Sequence, residues 1–165
     1  MKIGSITENN EIEKRAAVTP DVISKYKNLG FEIQLIENYA NHLGFSDQLF
    51  IEAGAKIIKD EKDLISNSDI LIQVGLLSEN QLTLMKQNQI LVGSLNVHEN
   101  NKKIQELTKK KINVFSLDLL PRITRAQSMD ILSSQANLAG YKAVVESFSM
   151  FEKAIPMMML SLIHI

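Results

Sequence analysis

Short β-branched and apolar runs recur along the chain, separated by stretches with helical spacing. Lys2–Ile6, Glu32–Ile36, Lys56–Ile58, Ile70–Val74, Ile90–Gly93 and Asn113–Ser116 have the length and composition of strands. The stretches between them are long enough for crossovers, which parallel strands need and antiparallel hairpins do not. This alternation predicts a doubly wound α/β fold: a mainly parallel sheet, with right-handed connections placing helices on both faces.

The first crossover carries the clearest helix punctuation. Thr19 can cap it, Pro20 fits a first turn whose N–H is not needed, and Gly30 can close it in a left-handed conformation, with Val22, Ile23, Tyr26 and Leu29 on one face. Ser46 to Ala53 predicts a second helix ended by Gly54. Asn80–Lys86 and Asn100–Lys109 predict two more.

Beyond the last strand the pattern changes. Asp118 to Thr124 is a loop that leads into a helical stretch from about Arg125 to Lys153. Its apolar positions Met129, Leu132, Ala136, Ala139 and Ala143 are mostly small, which allows close approach of another helix or backbone. We therefore expect an α/β lobe over residues 1–120, then a loop and long linking helix over 121–159. The last six residues, Leu160-Ser-Leu-Ile-His-Ile165, end the chain on apolar side chains. They also match one reading frame of the transposon-end adapter CTGTCTCTTATACACATCT, so residues 160–165 are expected to be a non-native tail, a matter the codons at that junction decide.

Composition narrows the function classes. Eighteen basic and nineteen acidic residues leave a formal charge of −1, so no electrostatic argument favours nucleic acid or an anionic membrane as partner. Lys109-Lys110-Lys111 is expected to be a solvated helix end. The chain has no cysteine, which excludes disulfides and thiolate metal sites. No apolar stretch approaches the roughly 20 residues that span a bilayer, so a membrane connection would come through a partner.

The chemistry-bearing residues are unevenly spread. The seven glycines are scattered, leaving neither a Rossmann-type glycine-rich turn nor a Walker loop to cradle phosphate. His42, His98 and His164 are far apart, without the spacing of a metal site. The densest polar cluster is Arg122-Ile-Thr-Arg-Ala-Gln-Ser-Met-Asp130, followed by Ser133, Ser134 and Gln135. It puts guanidinium, amide, hydroxyl and carboxylate groups beside a helix N-terminus, which favours anions and acceptors. The same residues also have a purely structural use, because Thr124 to Gln127 fits a capping box and Asp130 suits a first helical turn.

Pro121-Arg-Ile-Thr-Arg-Ala-Gln-Ser-Met-Asp-Ile-Leu-Ser-Ser-Gln-Ala-Asn-Leu-Ala-Gly-Tyr-Lys-Ala-Val144, continued by Met157-Met158-Met159, resembles the signature of the alpha-type subunit of proton-translocating NAD(P) transhydrogenases. Glu11 to Pro20, Phe45-Ser-Asp47 and Ala53-Gly-Ala55 are similar to the wider family that joins these with alanine dehydrogenases. The resemblance implies hydride transfer between NAD(H) on this component and NADP(H) on a partner. It further implies a homodimer working with membrane proton-channel and NADP-binding components, on the cytoplasmic side of the membrane. It assigns Arg122, Ile123, Thr124, Gln127, Asp130 and Ser133 to the nicotinamide, with Asp130 able to accept from the Arg122 guanidinium. Gln127 offers a donor and an acceptor to a carboxamide or ribose hydroxyl. A glycine-rich dinucleotide domain is expected to follow the Met157–Met159 segment.

Two departures weigh against an alanine dehydrogenase. Where that branch carries a lysine and a histidine, this chain has Gln73 and the stretch Gly93 to Asn96, with His98 out of step. Arg15 keeps the shared pattern and is expected to be an ordered surface or interdomain arginine. The alternatives are an alanine dehydrogenase-like oxidoreductase and a non-catalytic oligomerisation module.

Overall fold

The computed structural model describes residues 1–154. Strands β1 (Lys2–Ser5), β2 (Glu32–Ile36), β3 (Lys56–Ile58), β4 (Ile70–Ile72), β5 (Ile90–Gly93) and β6 (Asn113–Ser116) form one sheet in the order β3-β2-β1-β4-β5-β6. Every neighbouring pair is parallel. The first strand made is therefore central, and the sheet grows outward from it in two directions, the doubly wound order expected.

Helices α1 (Pro20–Asn28), α2 (Asp47–Ala53), α3 (Glu61–Asn67), α4 (Glu79–Leu84) and α5 (Asn101–Lys109) are the crossovers. Right-handed connections running one way from β1 and the other way from β4 assign them to opposite faces. Two separate cores result. Ile23 of α1 and Phe50 of α2 pack with Ile3, Ile33 and Leu35. Leu64 and Ile65 of α3, Leu82 of α4 and Leu107 of α5 pack with Leu71 and Leu91 on the other side.

Local chemistry explains the helix ends. Gly30 and Gly54 adopt φ of 85° and 104°, conformations that L side chains resist. Thr19 stands at the N-cap of α1 but makes no side-chain capping bond. Leu29 is 72% exposed instead of sharing the buried face of Ile23, because the helix ends at Asn28. The sequence pattern does not reveal α3, whose seven residues show one adjacent apolar pair, Leu64–Ile65, and no periodic face. Its start signal is Asp60, which accepts from the Lys62 N–H. Ser78 and Gln81 form a reciprocal capping box on α4.

The expected helix from Arg125 is displaced. Residues Thr124–Met129 form a 3-10 turn, and α6 begins at Ile131, running to Met150. Its N-cap is Asp130, which accepts from the Ser133 N–H, so the capping box expected between Thr124 and Gln127 does not start this helix. The chain divides into two compact units, Met1–Met129 and a second from Asp130 onward. No residue of α6 is buried. Met157–Met159 and the tail 160–165 lie outside the described residues.

Candidate functional site

In open α/β sheets the carboxyl ends of the strands form a crevice where the winding direction reverses, here between β1 and β4. A cleft of about 660 Å³ opens there. The β1–α1 loop contributes Glu8, Glu13 and Arg15. Gln73 to Gly75 follow β4, and Ser94 and Asn96 follow β5. Pattern and spacing alone do not single out this cleft, because its polar residues come from three distant segments and only the topology joins them. The signal that could have found it is positional: each segment directly follows a predicted strand.

The cleft is already occupied by its own acids. The Glu8 carboxylate accepts the Val74 N–H at 2.6 Å and the Gly75 N–H at 3.4 Å. Burial pushes the Glu8 carboxyl above its ordinary value, and these two backbone bonds offset only part of that effect. Arg15 forks onto Glu13, with Nε 2.8 Å from Oε1 and Nη2 2.6 Å from Oε2. That bidentate bond holds the Glu13 carboxyl below its ordinary range. A phosphate here would meet two carboxylates rather than open amides.

Gln73, at the position where the resemblance marks a lysine in alanine dehydrogenases, is 4% exposed. With its amide nitrogen toward the sheet it donates to Ile6 O, Ser5 Oγ and Ile72 O at 3.0–3.1 Å. Ser5 Oγ in turn lies 2.8 Å from Tyr39 Oη, which accepts the Val18 N–H at 3.0 Å. Burial raises the Tyr39 hydroxyl pKa, so it stays a neutral strut tying the loop before α1 to the sheet. Gly93 permits the close fit beside Gln73, since a Cβ there would sit 2.6 Å from the Gln73 carbonyl oxygen. His42 and His98 are exposed, His42 lying 2.9 Å from Lys14 O. The lysine run Lys109–Lys111 is likewise exposed.

The second polar surface is the segment singled out from sequence. Asp118, just before it, feels opposing effects. Burial raises its carboxyl, but bonds from Ser116 Oγ and from backbone N–H groups including those of Leu95 and Val97 outweigh this and hold it low. Past it, Arg122, Ile123, Thr124 and Gln127 are exposed in the first unit, while Ala126 is buried as the anchor of the 3-10 turn. Ile123 donates its N–H to Pro121 O, and its carbonyl accepts from Ala126, so the turn uses its backbone. Among the described residues, the Arg122 and Gln127 side chains make no hydrogen bond, leaving guanidinium and amide available to a ligand. In the second unit Asp130 holds Ser133 through both its N–H (3.0 Å) and its hydroxyl (2.6 Å). The structure thus brings Asp130 and Ser133 together. The boundary after Met129 separates them from the other four candidates.

A six-stranded parallel sheet with a polar crevice at its switch point, followed by an exposed polar turn, defines an N-terminal lobe of the dehydrogenase type. A sequence model described as "Alanine dehydrogenase/PNT, N-terminal domain" matches residues 4–139, and the chain belongs to that family. It is 37% identical over 164 residues to the first portion of the split NAD(P) transhydrogenase alpha subunit of Rhodospirillum rubrum, covering 96% of this chain and 43% of that protein. The structure of a transhydrogenase from Sinorhizobium meliloti superposes with a TM-score of 0.87 at 30% identity, covering 98% of this chain and 48% of that one. Alanine dehydrogenase 1 of Staphylococcus aureus is more distant, 23% identical over 145 residues, covering 88% of this chain and 38% of that protein. The chain therefore spans less than half the length of these relatives.

Proposed function

We propose that this chain is the front region of the NAD(H)-binding component of a proton-translocating NAD(P) transhydrogenase. The observation that carries this reading is the exposed pair Arg122 and Gln127, set before the Asp130-capped helix within the segment that resembles the family signature. Their chemistry fits the nicotinamide end of a dinucleotide: Gln127 can both give to and take from a carboxamide, and Arg122 offers a planar fork. The crevice does not fit the pyrophosphate, because its amides at Val74 and Gly75 already hold Glu8.

When bound, the two nicotinamide nucleotides supply the redox chemistry, one hydride passing from NADH to NADP⁺. The residues of this chain bind and orient the NAD(H) ring; no general base is required of them. The phosphate and adenosine contacts belong to the region of the longer protein that follows. The NADP(H) side, the proton channel and a second copy in a homodimer complete the assembly. The lobe stands on the cytoplasmic side of the membrane; none of its described helices is long and apolar enough to cross a bilayer.

Two measurements test the reading. Isothermal calorimetry of the 165-residue chain with NADH is expected to show weak or no binding, and micromolar affinity would overturn the division of labour proposed here. The full-length protein, assayed with its partner components, is expected to reduce an NADP⁺ analogue with NADH. Turnover of pyruvate, ammonia and NADH instead would support the alanine dehydrogenase reading, which the burial and neutrality of Gln73 disfavour.

A further inference from the structure

Strand register sorts the side chains of β4, β5 and β6 into rows on two faces. Leu71, Leu91 and Val114 are aligned partners on one face, and the two leucines are fully buried beneath α3, α4 and α5. The next row, Ile72, Val92 and Phe115, points the opposite way, as does Ile70 beside Ile90. On that second face α1 and α2 cover only the β1–β3 half, because the connections from β4 onward run in the other direction and place α4 and α5 on the first face. None of α1 to α5 lies over the second face of β4–β6. Ile90 and Val92 are half-buried there, and Phe115 is 58% exposed.

The residues of this face are not those of a wet surface. A sheet with one solvated face alternates apolar and polar side chains, whereas β4 (Ile-Leu-Ile) and β5 (Ile-Leu-Val-Gly) are apolar on both sides, as in parallel strands covered twice. No charged residue stands in either row, and Asn113 is its one polar member. In folds of this kind the cover is a helix. The length comparison supplies its source: this chain spans 43% and 48% of two relatives it matches, so more than half of such a polypeptide is unused by the lobe. A segment tethered to the same chain also reaches the face at high effective concentration.

We propose that an amphipathic helix from the region of the full-length polypeptide C-terminal to residue 165 returns to this lobe. It seats its apolar stripe across Ile72, Val92 and Phe115, completing the second layer of the sheet. The proposal rests on strand register and on the length of the relatives, and stands or falls separately from the redox reading.

Phe115 suits the test, because a photoreactive aromatic replaces it with little change of shape. The full-length protein carrying Phe115→p-benzoylphenylalanine, irradiated and digested, is expected to give a product of monomer mass in which residue 115 is joined to a peptide from beyond residue 165. A link to a second copy, a link within residues 1–165, or no link would each overturn the proposal. Phe115→Cys in the same full-length protein gives a second readout. Maleimide labelling is expected to be at least tenfold slower than after denaturation and independent of protein concentration. Labelling at the denatured rate, or protection that disappears on dilution, would overturn it.

Discussion

The switch-point cleft and the 122–133 segment are both polar, but they differ in how far their groups are satisfied from within. In the cleft, Glu8 takes the two available backbone N–H groups, Glu13 takes the Arg15 fork, and Gln73 is locked among Ser5, Ile6 and Ile72. In the segment, Arg122 and Gln127 are exposed side chains on a turn held by one buried alanine. A concave, polar site at the expected place in the fold can thus be committed to holding the fold together, while a plain surface turn keeps its donors for a ligand. The contrast places the cleft on the stability side and the turn on the binding side.

The largest effect should come from the turn. Arg122→Ala in the full-length, assembled protein is expected to slow NADH-to-NADP⁺ hydride transfer on the order of 10²-fold, through lost positioning of the ring. Thermal unfolding should be unchanged, since the side chain makes no hydrogen bond among the described residues. An equal loss of melting temperature would erase the distinction between the two surfaces. Next comes the strut beneath the cleft. Tyr39→Phe leaves the Val18 N–H and Ser5 Oγ without their shared partner and should cost about 1–3 kcal/mol in denaturant unfolding, as expected for a buried group left unsatisfied.

A smaller effect separates capping from ligand binding at Asp130. Replacing it with Ala removes the acceptor for the Ser133 N–H and should weaken the first turn of α6 by about 1 kcal/mol, seen as faster amide exchange there. A change in cofactor affinity without faster exchange would move Asp130 to the ligand.

The smallest effects are those of pH. The Glu8 carboxyl is raised above 4.5, so its contribution to stability is complete in acid and is lost as pH rises through its folded value. Glu13 is lowered, so its contribution is present at neutral pH and is lost as pH falls through its folded value. Melting curves across pH should therefore show Glu8→Gln gaining on the wild type toward neutrality, and Glu13→Gln losing ground over the same range. Parallel curves for both would refute the assigned causes.

The six strands could be read directly because each is a compact apolar run with a clear polar or turn boundary. Their parallel, doubly wound arrangement followed from alternation and handedness. What the sequence hid has specific causes. Helix α3 is short and lacks a periodic face, so only its Asp60 cap announced it. The start of α6 was misplaced because Thr124 to Gln127 has the composition of a capping box, while the backbone there tightens into a 3-10 turn and leaves Asp130 to cap. The cleft was invisible because Glu8, Gln73 and Asn96 come to line one space only through long-range parallel pairing. The polar turn was the reverse case, its candidates being contiguous in sequence, although the boundary after Met129 divides them.

The central place of β1 also bears on how the molecule is made. Because the strand synthesised first pairs with β2 on one side and β4 on the other, a nascent chain that has emerged as far as Ile58 already holds half of the sheet, β3-β2-β1, with α1 and α2 to cover it. The open edge of β1 then serves as the template on which β4, β5 and β6 add in order of synthesis, each crossover closing a short loop rather than a long one. Assembly can thus keep pace with the ribosome, and the exposed edge of each intermediate is the seat of the next strand to arrive.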